Sequence, residues 1–270
     1  MIPTLLQAAI LGAIQALTEF LPISSSAHLL VMPRFFGWIH LGLFFDVALH
    51  YGTAMAVLVY FRAEWLELIQ CIFQPASWSS QSGRWNLRLL WILVIGTIPA
   101  VIAGVLGKRL LEGTLRQPHL AAFSLAIFGI LLVAADRYFR KDRCLSQARI
   151  ADGLWVGLAQ ALALIPGVSR SGITITAARM RGINTPDAAR LSFLLSTPAI
   201  AGAAFLETYE YLKVAPAERP DLLAVVVGVA VSTILGMACI HYFLRYLRRG
   251  SFIPFAVYRL GLALLIVWLL

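Results

Sequence analysis

The sequence predicts an all-α, polytopic membrane protein, with six transmembrane helices plus two re-entrant helical hairpins in an inverted-topology repeat. Three observations lead there. Of 270 residues, 60% are hydrophobic and 13% charged, whereas a soluble domain carries about 25% charged residues. Six stretches approach the roughly 20 apolar residues a helix needs to cross a hydrocarbon core of about 30 Å. Two further segments, Gly12–His28 and Gly157–Ile173, lie 145 positions apart and align without a gap; each is an apolar run that breaks at proline and opens into serines.

Taken in order, residues 4–32 begin with an apolar arm too short to span before Pro22 and the serines interrupt it. Irregular backbone facing lipid would leave N–H and C=O groups without partners, so such a segment must lie against protein or a wet cavity. It reads as a hairpin that enters and leaves on one side. Spans follow at Leu41–Phe61, Leu87–Gly107 and Leu120–Phe139, and the charged stretch Arg137–Arg149 is the linker. Residues 151–182 form the second hairpin, followed by spans at Ala188–Tyr209, Leu222–Leu244 and Phe252–Leu270. The chain is thus one integral membrane domain, 1–270, with repeat one at about 4–139 and repeat two at about 151–270. Three spans per unit, an odd number, invert the second unit relative to the first. Ten plain spanning elements with chance similarity are the alternative, since serine-rich breaks also occur in ordinary membrane helices. Met1–Val31 has no basic region before its apolar stretch and reads as part of the mature chain, not as a signal peptide. Gly96, Gly104 and Gly129 permit close helix packing, within the chain or in a homodimer.

The net charge of +9 sits mostly in short loops, where lysine and arginine set topology; this placement argues against nucleic acid as a partner. One set of alternate loops holds fourteen basic residues, among them Arg62, Arg137, Arg149 and Arg249, and the other holds six: Arg34, Lys108, Arg109, Arg116, Lys213 and Arg219. The richer side is cytoplasmic by the positive-inside rule. Both termini then face outward; the first hairpin enters from the outer side and the second from the cytoplasmic side. Cys71, Cys144 and Cys239 are far apart and form neither a metal-type pair nor a disulfide framework. No Walker loop, His-Glu-x-x-His or nucleotide fingerprint is present.

The polar residues of the two breaks carry the chemistry. Gln15 and Glu19 share a helix face one turn apart. A carboxylate inside a membrane segment is costly, which marks Glu19 as a metal ligand, a general base or an arginine partner. Ser24, Ser25 and Ser26 precede His28; a serine needs a base to become a nucleophile and a histidine needs an orienting group, roles that Ser25 or Ser26, His28 and Glu19 can fill. In the second break, the Arg170 guanidinium is a planar fork suited to phosphate oxygens. Ser169, Ser171, Gly172 and Thr174 around it add hydroxyl and helix-start donors for an anion. Gln160 repeats Gln15. Asp46, His50 and Arg259 are supporting candidates that line the cavity or pair structurally, Asp46 with Arg259 or another cation.

The chain resembles the undecaprenyl-diphosphatase family, also called bacitracin-resistance proteins, over almost its full length. The resemblance rests on Gln15-x-x-x-Glu19, Phe20–His28, Pro166–Gly172, Phe193–Pro198 and Phe252–Arg259. It implies hydrolysis of the terminal phosphate of the C55 lipid carrier diphosphate in the bacterial cytoplasmic membrane, which returns undecaprenyl phosphate to cell-wall assembly and confers bacitracin resistance. Carried over by motif position, Glu19 matches the second acidic residue of the acidic motif, Ser25 the proposed nucleophile or phosphate ligand, His28 the motif histidine and Arg170 the phosphate-binding arginine. Ser24 and Ser26 complete the phosphate-binding set. The resemblance also implies a divalent cation, magnesium or calcium, with Glu19 as ligand. Gln15 stands where many members have a second glutamate, Ser26 where others have threonine and Ala27 where others have glycine. The rival readings are an inverted-repeat transporter or flippase of a phosphorylated lipid, and a structural membrane protein with polar helix contacts.

Overall fold

A computed structural model describes residues 4–38, 41, 43–112, 117–213 and 221–269. Arg116 and Arg219, used above for orientation, and Leu270 of the last span lie outside the described residues. Eleven α-helices run in order among the described residues: α1 Thr4–Phe20, α2 Ser25–Phe36, α3 Leu43–Tyr60, α4 Arg62–Phe73, α5 Gln81–Glu112, α6 Pro118–Tyr138, α7 Ile150–Leu162, α8 Arg170–Met180, α9 Thr185–Lys213, α10 Leu222–Leu247 and α11 Ile253–Leu269. Among those residues there is no β-strand, only one isolated bridge between Arg143 and Ile183.

Length sorts the helices. α1 has 17 residues and α7 has 13; at about 1.5 Å per residue, neither reaches across a core of about 30 Å. Three helices are long and apolar enough to cross a bilayer: Gln81–Gly107 within α5, α6 and α10. α3 qualifies only together with α4, from which it is bent by 79°. The stretch expected as the fourth span lies inside the 29-residue α9, interrupted by Pro198, and α11 has 17 residues. Of the six expected spans, three therefore stand on their own by length and hydropathy among the described residues. α4 lies where the sequence reading placed only a loop; its exposed Leu66, Ile69, Ile72 and Phe73 alternate with Glu64 and Glu67.

The short arms pack by their small residues. α1 buries Ala8, Leu11, Gly12, Gln15, Ala16 and Glu19 on one stripe and leaves Leu5, Leu6 and Leu17 outward. α7 buries Gly153, Val156, Gly157 and Gln160 and leaves Leu154, Trp155 and Leu158 outward. A Cβ at Gly12 would sit 2.5 Å from the carbonyl oxygen of Gly228 in α10, and one at Gly157 would sit 2.3 Å from that of Gly96 in α5. Each short arm thus lies backbone to backbone against a long helix, an approach only glycine permits. Gly96 and Gly129 are used within the chain, the latter against Arg259.

The linker is pinned by charge. The buried Asp152 carboxylate accepts hydrogen bonds from Arg143, Arg181 and the Arg149 backbone N–H. Buried Arg179 donates to Asp136 and to the Phe139, Arg140 and Ile183 carbonyls. These bonds fasten the start of α7 and the end of α8 to one charged cluster.

Candidate active site

Both breaks have the same backbone signature. Ser24 and Ser169 are the only non-glycine residues with positive φ among the described residues, at 76° and 71°. They are equivalent in the gap-free alignment of the two segments. Each stands immediately before a helix, α2 and α8 respectively. Pro22 and Pro166 lie close upstream, and proline cannot continue the helix that arrives.

The breaks meet at one carboxylate. Glu19, 5% exposed, accepts a hydrogen bond from Arg170 Nη2 at 2.6 Å on Oε1. On Oε2 it accepts from Ser25 Oγ and, at 3.1 Å, from Gln15 Nε2. His50 Nε2 stands 3.6 Å from the same oxygen. Ser25 and Arg170 are themselves equivalent positions in the two aligned segments, so one carboxylate is held from both sides by matching positions. A buried ion pair is stable only when its remaining polar atoms are bonded. Arg170 Nη1 meets that condition by donating to the Ser192 carbonyl at 3.2 Å.

Other candidates turn inward. Ser169 Oγ caps α8 by accepting from the Gly172 N–H at 3.2 Å, and Ser171 Oγ donates to the Leu21 carbonyl across the breaks at 3.2 Å. Thr174 Oγ1 donates to the Arg170 carbonyl at 2.7 Å and lies 2.7 Å from Ser192 Oγ. The donors expected to cradle an anion are thus occupied in building the tip that aims Arg170. In the first break Ser24 is buried, its Oγ 3.1 Å from Ser26 Oγ, while Ser25 is half-buried and Ser26 exposed. Ala27 sits inside α2, away from the positive-φ turn, so its extra methyl meets no backbone constraint.

His28 differs from the sequence expectation. Its Nδ1 lies 2.7 Å from the Ser24 carbonyl and its Nε2 2.7 Å from the Tyr258 hydroxyl. A carbonyl only accepts, so Nδ1 carries the proton and Nε2 of the neutral ring accepts from Tyr258. Both nitrogens are therefore engaged away from Ser25 and Glu19. The serine reaches the carboxylate directly, without an intervening imidazole.

Arg259 does not pair with Asp46. It is fully buried and donates only to backbone carbonyls: Leu125 at 2.9 Å, Ser124 at 3.4 Å, Pro22 at 3.1 Å, and Gly167 and Val168 at 3.0 Å each. One guanidinium thereby ties α6 and both breaks together, supplying donors to carbonyls that the broken helices leave unpaired. Asp46 contributes its carbonyl to His50 Nδ1 at 2.8 Å. Gln160 lies buried in α7, with neither amide atom hydrogen-bonded, and does not join the Glu19 cluster. Ser192 and Tyr258 are contacts the sequence reading did not single out; the one available signal was that Tyr258 precedes Arg259.

For a divalent cation, the donors present are partial. Among the described residues, no three His, Cys, Asp or Glu side chains cluster as a protein cage. Beside Glu19, however, Gln15 Oε1 is a buried oxygen without a hydrogen-bond partner. One carboxylate and one amide oxygen fit a hard cation whose remaining ligands come from water and substrate phosphates.

A family model described as bacitracin resistance protein BacA matches residues 8–265. The chain belongs to the BacA family. It is 48% identical over 265 residues to the undecaprenyl-diphosphatase of Moorella thermoacetica, covering 98% of this chain and 97% of the relative. The Desulforudis audaxviator undecaprenyl-diphosphatase is 45% identical over 263 residues, 97% of each chain. That of Alteromonas mediterranea is 42% identical over 265 residues, 98% of each chain. Membership of the BacA family and the long apolar helices together make this chain a multi-pass membrane protein.

Proposed function

We propose that this protein hydrolyses undecaprenyl diphosphate to undecaprenyl phosphate and inorganic phosphate, which recycles the lipid carrier for cell-wall synthesis and gives bacitracin resistance. The observation that carries the chemistry is the Glu19 carboxylate, shared by Ser25 from one break and Arg170 from the other. It sets a hydroxyl, a base and a phosphate-binding cation within a few ångströms in a chain whose relatives bear that activity as their name.

In this reading the diphosphate enters between the breaks and Arg170 turns from Glu19 to the phosphate oxygens, with Ser24 and Ser26 beside it. Charge stabilisation is most of what phosphoryl transfer requires. With Arg170 on the phosphate, Glu19 takes the Ser25 proton through Oε2, the oxygen that already accepts from that hydroxyl. Ser25 Oγ bonds to the terminal phosphorus, the bridging P–O bond breaks, and undecaprenyl phosphate leaves with the proton returned through Glu19. Water then attacks the phosphoserine, releasing inorganic phosphate and restoring the hydroxyl. Glu19 and Gln15 Oε1 would hold a magnesium or calcium ion together with substrate oxygens; when bound, the ion neutralises phosphate charge.

The same reading makes α1–α2 and α7–α8 re-entrant hairpins of an inverted repeat with six spans, set in the bacterial cytoplasmic membrane. The fourteen-to-six division of loop charge supports outward termini and an outward-opening site. The paired breaks at Ser24 and Ser169 and the exchanged contacts of Gly12 and Gly157 support the duplication. The deciding assay is phosphate release from C55 diphosphate by detergent-purified protein, with and without chelator. Release without any membrane gradient is expected, reduced by the chelator. Movement of intact lipid in sealed vesicles without phosphate release would replace the enzyme with a carrier.

A further inference from the structure

A cavity of about 190 Å³ lies among α4, the start of α5, the linker and the start of α9, and none of its walls belongs to the Glu19 cluster. Glu64, Glu67, Trp85, Asp187 and Arg190 supply charged and aromatic walls, and Leu89 an apolar one. We propose that this cavity binds a phosphoethanolamine group, carried by an ethanolamine phospholipid or free in water, with the ammonium on Glu67 and Asp187 and a phosphate oxygen on Arg190. The proposal stands apart from the phosphatase reading.

Unused hydrogen-bonding capacity of both signs selects the occupant. Arg190 Nη2 donates to Glu64 Oε1 at 2.6 Å, but the buried Arg190 Nε has no acceptor among the described residues. A buried donor left unpaired is costly, and the acceptor a guanidinium bonds best is an anionic oxygen. On the acidic side, Glu67 has only a 3.5 Å contact with Asn86 Nδ2 among the described residues. Asp187 uses Oδ2 for the Leu145 N–H and for Asn184, which leaves Oδ1 open. Two carboxylates therefore keep acceptor oxygens, and an ammonium brings three donors. Among the described residues no three His, Cys, Asp or Glu side chains converge as metal ligands, so these carboxylates are spaced for a larger cation. Trp85 adds an aromatic wall, a surface that attracts ammonium groups.

The surroundings put the cavity at headgroup level. α4 is bent by 79° from α3. Its Leu66, Ile69 and Phe73, 48–78% exposed, recur at helical spacing on the face away from Glu64 and Glu67. An amphipathic helix of this pattern lies along a bilayer surface with its apolar side among the acyl chains. Its opposite edge, which walls the cavity, then stands where phospholipid headgroups stand. Arg62, Arg84 and Arg88 lie on the same helices, so the two open carboxylates form an acidic inlet in basic surroundings.

Thermal unfolding of the full chain in detergent, followed against added ligand, gives an apparent Kd, because a ligand that binds only the folded state raises Tm. The probes are dioleoyl phosphatidylethanolamine, phosphatidylcholine and phosphatidylglycerol, with soluble phosphoethanolamine and putrescine. Phosphatidylethanolamine should bind at least about fivefold more tightly than phosphatidylcholine, whose choline has no N–H, or phosphatidylglycerol, which has no cation; that is the scale of one charge-assisted hydrogen bond. Glu67→Gln, and Arg190→Lys, which keeps a cation for Glu64 but has no Nε, should each weaken this binding about fivefold or more, while Asp142→Asn, on the linker outside the cavity, changes it less than about twofold. Soluble phosphoethanolamine that binds as tightly as the lipid would assign a free ligand; binding by the lipid alone would assign a headgroup. Equal binding of the three lipids without any response to soluble phosphoethanolamine would overturn the proposal. So would putrescine that binds as tightly as phosphoethanolamine, or parent-like affinity in folded Glu67→Gln and Arg190→Lys.

Discussion

At Ser24 and at Ser169 the chain makes the same left-handed step before a helix, yet the two surroundings differ. Around Ser169 the hydroxyls are spent on the tip itself: a helix cap, a bond to the Leu21 carbonyl and a contact with Ser192. Around Ser24 the groups stay available: Ser25 is half-buried against Glu19, and Ser26 is exposed. Position for position, Ser25 and Arg170 reach the same carboxylate, one as a hydroxyl and the other as a cation. The same backbone step can thus serve two ends: one segment holds the reactive groups and the other frames a single charge.

The comparison breaks most sharply at that charge. Arg170→Ala and Glu19→Ala should each lower phosphate release by at least about 10²-fold, the scale of losing one charge-stabilising donor; near-normal turnover by folded Arg170→Ala would remove the clamp. Next come the serines. Ser25→Ala should lose about 10²-fold and abolish acid-trapped phosphoprotein from terminally radiolabelled substrate, the loss again being of the order seen when one catalytic group is removed. Ser171→Ala, one position on from the point equivalent to Ser25, should lose less than about tenfold, because its hydroxyl bonds a neutral carbonyl, an interaction of about 1 kcal/mol. Equal losses would contradict the division into reactive and framing halves.

Arg259 serves both breaks at once. Arg259→Met should lower stability in detergent by at least about 3 kcal/mol, since hydrogen bonds to a charged group contribute about 1.5–3 kcal/mol each and Pro22, Gly167 and Val168 would all lose a donor. Unchanged unfolding would show that these carbonyls find partners elsewhere. The smallest effects are at the turns themselves. Ser24→Gly should stabilise by up to about 1 kcal/mol, because left-handed backbone costs a non-glycine residue about 1–2 kcal/mol. Ser169→Gly relieves the same strain but loses a helix cap, which costs only about a few tenths of a kcal/mol when glycine replaces serine, so its gain should be slightly smaller than that of Ser24→Gly. A gain at Ser169 that matched Ser24 would mean the cap contributes nothing.

Much of this was legible in the sequence because membrane interiors make polar residues conspicuous. Glu19 and Arg170 stood out as charges in apolar runs, and the serine repeats located the breaks. The direction of His28 was not legible: nothing in spacing says that the Ser24 carbonyl and a hydroxyl 230 positions away will take both ring nitrogens. Arg259 was recognisable as unusual, but its role depends on carbonyls from three separate segments, and carbonyls carry no sequence signature. α4 escaped because Glu64 and Glu67 interrupt its apolar pattern and the helix is bent by 79° from α3.

The central claim is that the two breaks act as one site through the Glu19–Arg170 pair. It is tested most directly by a double-mutant cycle on phosphate release, with Glu19→Gln, Arg170→Gln and the combination. Groups that work as a unit are strongly non-additive, so the double variant should be no slower than the slower single. Losses that multiply would show the carboxylate and the guanidinium acting independently, and would contradict the shared site.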